Sequence, residues 1–140
     1  MESAVDRDRA YVFLGYTPLE FVGGYARFML CMSNVGRGPA VIKEIKYKLL
    51  QRDALPTSRK DADWQWDIIE YDWVIPEHQT RDSKRFQTSG GNDIFVACIT
   101  YLDLFTLKTH VSWMGMHIFP DKPEGQRDAR AGGDEWNSSD

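Results

Sequence analysis

Apolar side chains recur along this chain with a period of two rather than 3.6, the mark of half-buried strands. Residues 9–16 (RAYVFLGY) predict a first strand. Thr17-Pro18 and Gly23-Gly24 bracket a connection. Residues 25–33 predict a second strand with Ala26, Phe28, Leu30 and Met32 on one face and Arg27, Cys31 and Ser33 on the other. Asn34-Val35-Gly36-Arg37-Gly38-Pro39 then breaks the pattern with residues that accept positive φ or fix φ. Residues 41–50 alternate, placing Val41, Ile45, Tyr47 and Leu49 on one side and Lys46 and Lys48 on the other.

Residues 51–63 are polar, contain Pro56 and read as a loop. Residues 64–75 (WQWDIIEYDWVI) change phase near Asp67-Ile68: Trp64, Trp66 and Ile68 share one parity, while Ile69, Tyr71, Trp73 and Ile75 share the other. A β-bulge or short turn at that point is the expectation. Residues 83–87 predict a short strand, and Ser89-Gly90-Gly91-Asn92 a hairpin connection. Residues 94–102 are apolar almost throughout, as in a central strand covered on both faces. A turn at 103–106 leads to a last strand at 107–119, and residues 121–140 read as a polar tail with Trp136 as a point of attachment.

About seven or eight strands at turn spacings of about 8–15 residues, with no amphipathic helix, predict an all-β fold, an antiparallel immunoglobulin-like β-sandwich. The domain is expected over 9–120, with 1–8 as a lead and 121–140 as a tail. At 140 residues the chain is one domain long and buries enough surface to fold without a metal or disulfide. No apolar run reaches the length of a membrane span, and the mixed-charge start lacks the apolar core of a signal peptide.

Charge narrows the partners. Of a net charge of −4, the tail carries most, with six acids against three bases. The basic stretches at 43–48 and 81–85 are diluted by acids, which disfavours nucleic acid. Cys31 and Cys98, 67 residues apart, have the spacing of an immunoglobulin bridge, but no Trp follows Cys31 by about a dozen residues and Val96 stands where the corner Tyr belongs. Two free thiols are expected.

Candidate chemistry is sparse. His110 and His117 are seven apart on one strand and so face opposite ways, and His78 lies in a loop, which leaves no metal site. No Gly-x-Ser-x-Gly elbow is present, and Gly36-Arg37-Gly38-Pro39 lacks the Lys-Ser/Thr pair of a phosphate loop. A nucleophilic Cys98 with His110 or His117 is the remaining catalytic arrangement, and a mid-strand thiol is ordinarily inert. No cofactor is expected. The most unusual stretch is 61–73, where acids alternate with Trp64, Trp66, Tyr71 and Trp73. These rings with Asp67, joined by Arg37 of the 36–40 turn, form the candidate binding surface, for a protein partner or alternatively for a small ligand or sugar. If exposed, Trp64 and Trp66 serve binding and not stability. Asn34, Gly36, Gly38, Pro39 and Asp103 are candidate structural turn residues.

Arg9-Ala10-Tyr11-Val12, then Asn34-x-Gly36-x-x-Pro39-Ala40, Leu55-Pro56, Val74-Ile75-Pro76, Tyr101-x-Asp103-x-Phe105 with Thr109, and Asn137-x-x-Asp140 follow in order. This series resembles the β-rich domain of a widespread, largely uncharacterised group of bacterial membrane-anchored proteins. Ala97, Thr106 and Ser112-Trp113 depart from the group, where Gly, Gly and a Phe-Cys pair are usual. The resemblance implies a soluble, non-enzymatic interaction or sensor domain in which 1–8 ends a helical stalk and the transmembrane anchor precedes it. The side of the membrane is left open, and the group offers no catalytic residues to transfer.

Overall fold

The structure, a computed structural model, describes residues 9–51, 54–88, 94–120, 122, 123 and 125–139. Among these residues nine strands form two packed antiparallel sheets. In the first sheet β3 (Tyr25–Asn34) pairs along one edge with β1 (Val12–Tyr16) and β2 (Glu20–Val22), and along the other with β6 (Thr80–Gln87). The second runs in the order β5 (Asp67–Ile75), β4 (Ala40–Leu50), β7 (Ile94–Asp103), β8 (Thr109–Ile118) and β9 (Asp128–Arg130). The all-β sandwich is as expected. Two short strands were not: β2 forms inside the expected connection, and β9 inside the expected tail. The expected lead over 1–8 and hairpin over 89–92 lie outside the described residues.

The main core lies between the sheets. Ala26, Phe28, Leu30 and Met32 enter it from β3, Phe95, Ala97, Ile99 and Tyr101 from β7, and Met114, Met116 and Ile118 from β8. Phe95 meets Phe28 edge to face at 4.9 Å, and Tyr47 meets Phe86 at 4.8 Å.

Two details of phase differ from the sequence reading. On β4 the core residues are Ala40, Ile42 and then Ile45, so Val41 is not on the face of Ile45 and Tyr47. The register slips between Ile42 and Glu44 against both neighbouring strands, and the bulge there reverses the parity. No bulge occurs at Asp67-Ile68; β5 pairs without interruption from Asp67 to Glu70. Trp64 and Trp66 instead serve a second core, Ile69, Tyr71, Trp73 and Ile75 serve the main one, and Ile68 is exposed.

The second core lies on the outer face of the second sheet, where Leu50, Ile94, Val96 and Trp136 are buried and Trp64, Trp66 and Trp113 pack against them. β7 is thus covered on both faces, as its sequence requires. The C-terminal segment closes this core. Trp136, fully buried in a one-turn helix, α1 (Gly133–Trp136), donates from Nε1 to the Pro56 carbonyl at 2.8 Å. Ala131 N donates to Gly115 O at 2.9 Å, and Trp113 N to Ser138 O at 2.7 Å. Residues 128–139 are therefore part of the domain rather than a tail.

Candidate interaction surface

The aromatic strip does not form one surface. Trp64 and Trp66 lie on the outer face within the second core, with ring centroids 5.4 Å apart; Trp64 stacks on Trp136 at 6.0 Å, and Trp66 meets Trp113 edge to face at 5.8 Å. Tyr71 and Trp73 turn toward the main core from edge strand β5. Their rings are 4.3 Å apart, and the Arg81 guanidinium already covers Trp73 at 4.0 Å. They line a shallow groove of about 710 Å³ with Lys43, Glu44, Glu70 and Asp72, in which Lys43 Nζ pairs with Asp72 at 2.8 Å. Asp67 is exposed at the start of β5, and Arg37 is exposed in the β3–β4 turn.

The turn residues do come together, at one end of the sandwich. Asn34, buried, donates from Nδ2 to the carbonyls of Gly38 at 2.9 Å and Ile75 at 3.1 Å, and its Oδ1 accepts from Gly36 N at 3.2 Å. Arg37 N donates to Arg9 O at 3.0 Å. Gly36 sits so close to β1 that a Cβ there would lie 2.3 Å from Arg9 O. Gly38 has φ of +78°, where glycine carries no steric penalty. Leu104 N donates to Pro39 O at 3.2 Å, which joins this turn to the β7–β8 turn.

Asp103 organises that second turn. Its carboxylate accepts from the amides of Ala10 at 3.1 Å, Phe105 at 3.2 Å and Thr106 at 3.1 Å, and from the Thr106 hydroxyl. Burial works to raise its pKa, but these hydrogen bonds together outweigh burial and hold it below the ordinary carboxylate value. The turn so fixed presents apolar side chains to solvent: Phe105 is 62% exposed and Leu107 72%, and Leu104 is exposed with them, as is Val35 after β3. Leu107 adopts φ of +59°, a conformation that costs a branched side chain energy and is sustained only by surrounding structure. Sequence reading treated 103–106 as a plain turn. The signal it passed over was the density of apolar residues in Asp103-Leu104-Phe105-Thr106-Leu107, where a hairpin turn is ordinarily polar.

The groups considered for catalysis are dispersed. Cys98 is buried on the outer face of its sheet, its sulfur 3.7 Å from the Ile99 carbonyl oxygen. His110 has the parity of the core face, where it bonds Arg9 and lies 5.6 Å from the Tyr101 ring. His117 pairs across from Ile94, four residues along β7 from Cys98 or roughly 13 Å of strand. Cys31 is half-buried on the outer face of the first sheet, so the two thiols face away from one another and form no disulfide. Burial, then hydrogen bonding to Asp82, pushes the Cys31 thiol up to about 11. Among the described residues no group of three or more metal-ligating side chains gathers, and no helix is long and apolar enough to cross a membrane. The chain matches no family model and no curated protein.

Proposed function

We propose that this chain is a non-enzymatic interaction domain that binds a protein partner through the end formed by the β3–β4 and β7–β8 turns. The observation that carries this reading is the exposure of Phe105 and Leu107 on a turn that Asp103 holds rigid. Ordering costs are thereby met before binding, and large apolar side chains at the centre of a contact supply most of its energy. Arg37 and Lys108 flank the apolar residues, so the fitting partner has an apolar pocket with an acidic rim.

The pairing order supports an immunoglobulin-like assignment. With β1/β2, β3 and β6 as strands A, B and E, and β5, β4, β7 and β8 as C′, C, F and G, the sheets read A-B-E and C′-C-F-G. The two turns are then the B–C and F–G loops, which lie at the recognition end of variable domains. The resemblance to bacterial membrane-anchored proteins supports a domain held near a membrane by a preceding stalk, with β1 entering at this same end.

Site-specific photocrosslinking tests the reading. A photoreactive phenylalanine at position 105, in the full-length protein in its native cells, is expected to give a discrete protein adduct. The adduct is lost with Leu107→Ser, and a probe at Ile68 does not give it. Lipid adducts, or equal adducts from both positions, would overturn it. Phe105→Ser and Leu107→Ser should leave the thermal midpoint within about 2 °C, because exposed side chains contribute little to folding.

A further inference from the structure

A second surface lies along the open edge of β5. Only β4 pairs with this nine-residue strand, so alternate residues leave their backbone N–H and C=O groups without a strand partner. One exception is the Ile75 carbonyl, which accepts from Asn34 Nδ2. β5 keeps its own alternation past the register slip: Ile69, Tyr71, Trp73 and Ile75 turn toward the main core, which leaves Ile68, Glu70, Asp72 and Val74 on the outer face. Ile68 is 55% exposed and Val74 47%, an apolar exposure that edge strands ordinarily avoid. The charges between them do not cancel. Asp72 pairs with Lys43, but Glu70 stands directly opposite Glu44. Glu44 also faces outward, because the next pair, Ile45 and Ile69, faces the main core. Like charges so placed destabilise a sheet. The nearby cations are committed elsewhere: Lys46 Nζ lies 6.0 Å from the Trp66 and Trp113 rings, Arg81 covers Trp73, and Lys84 approaches the Tyr47 ring. Neither glutamate pairs with a cation among the described residues, and every residue that walls their shallow groove is described.

We propose that the edge of β5 accepts an extended, basic segment of a partner protein as an added strand. The segment sets a lysine or arginine against Glu70 and Glu44, and apolar side chains against Ile68 and Val74. Backbone hydrogen bonds supply the pairing, and alternate side chains supply the selectivity. The charges decide the occupant. Antiparallel pairing of two copies of β5 in full register sets Glu70 opposite Asp72 twice, and a shift of two residues either way sets Glu70 or Asp72 against itself. A second copy of this chain therefore meets repulsion, as does an acidic segment, whereas a basic one relieves the opposed glutamates. The contact is one strand wide and open to solvent, so affinity is modest, on the order of 0.1–1 mM.

Backbone amide NMR of the isotopically labelled protein, titrated with a blocked seven-residue peptide, reads this directly. The peptide carries valine at both ends, lysine at the third and fifth positions and threonine at the rest, a pattern that serves either strand direction. Saturable shifts and slowed amide exchange are expected from Ile68 to Val74. The same peptide with glutamate in place of lysine should bind at least tenfold more weakly. The double variant Glu44→Gln with Glu70→Gln should weaken the lysine peptide at least tenfold, and it should melt no lower than the parent because it removes a repulsion. No saturable shift up to about 10 mM, equal binding of the glutamate peptide, or shifts indifferent to the double variant would overturn the proposal. So would a dimer of the free protein in sedimentation with the β5 amides already protected, which would put a second copy at this edge. Phe105→Ser should leave the titration unchanged, so this edge and the turn surface stand or fall separately.

Discussion

Asn34 does with one side chain what a turn otherwise needs several backbone contacts to do. It ties the β3–β4 turn to itself through Gly36 and Gly38, and to the end of β5 through Ile75. That tight wrapping brings Gly36 against the backbone of β1, where there is no room for a methyl group. Gly36→Ala therefore has to displace β1 or the turn, and an overpacked site of this kind costs about 3 kcal/mol. For a domain of this size the thermal midpoint should fall by roughly 10 °C in a calorimetric scan, whereas a drop under about 2 °C would mean that the turn yields easily. Asp103 plays the matching part opposite. Its folded-state pKa is lowered, so the unfolded chain binds more protons at acid pH, and its stabilising contribution is complete above the ordinary Asp value of about 3.9 and lost as pH falls through and below it. In Asp103→Asn one of the two acceptors becomes a donor, facing either the Ala10 and Phe105 amides that share Oδ1 or the Thr106 amide and hydroxyl that share Oδ2, at a cost of about 2–3 kcal/mol at neutral pH. Thermal unfolding from pH 7 to 2.5 should show the variant less stable at neutrality, with the two proteins converging below about pH 4. Parallel curves would mean that Asp103 is not the group responsible.

Among the elements, β7 shows why some of the fold was legible and some was not. Its unbroken apolar run announces a strand covered twice, and the alternation in 25–33 announces which residues of β3 face inward; both follow from a period of two that one sheet enforces locally. The bulge on β4 was not legible, because Val41, Ile42 and Ile45 are all apolar and pairing with two neighbours decides which are inward. The same ambiguity governs the tryptophans. Alternation with acids reads as a half-buried strand whether its rings meet solvent or a distant segment of chain, and the segment that covers Trp64 and Trp66 arrives some 70 residues later with Trp136. Trp66 and Trp136 thus belong first to stability. Trp136→Ala removes a fully buried ring with its hydrogen bond to Pro56 and should cost about 3–5 kcal/mol. Trp66→Ala, half-buried, should cost less but still lower the thermal midpoint measurably, contrary to the expectation for an exposed binding ring. Hydrogen exchange should show the Trp136 change speeding exchange at Trp113 and Ala131, whose amides bond within and across the C-terminal segment. An unchanged exchange pattern there would mean that this segment holds without its anchor.

At the scale of the whole molecule, the two cores share one strand. Alternate residues of β7 feed the space between the sheets and the tryptophan layer outside them, so neither core can dissolve without exposing the other side of the same strand. Four of the five tryptophans, Trp64, Trp66, Trp113 and Trp136, report on the outer core, while far-ultraviolet dichroism reports on the sheets as a whole. If β7 couples them, denaturant unfolding followed by the two signals should give a single coincident transition, the condition for two-state behaviour. The competing outcome is specific. The outer core is closed by 131–139, which is attached through one buried ring and hydrogen bonds made by its backbone and by Glu135, Asn137 and Ser139, so if that segment were weakly coupled it would open first and the fluorescence transition would precede the dichroism transition. Coincidence is expected because Val96 and Ile94, at the floor of the tryptophan layer, alternate with Phe95 and Ala97, which are wholly buried in the main core. Stripping the layer away exposes one face of the central strand to water while leaving its pairing intact. That loss of apolar burial is large against a total stability of about 5–15 kcal/mol, so the intermediate is driven out of the transition and the chain melts as one unit.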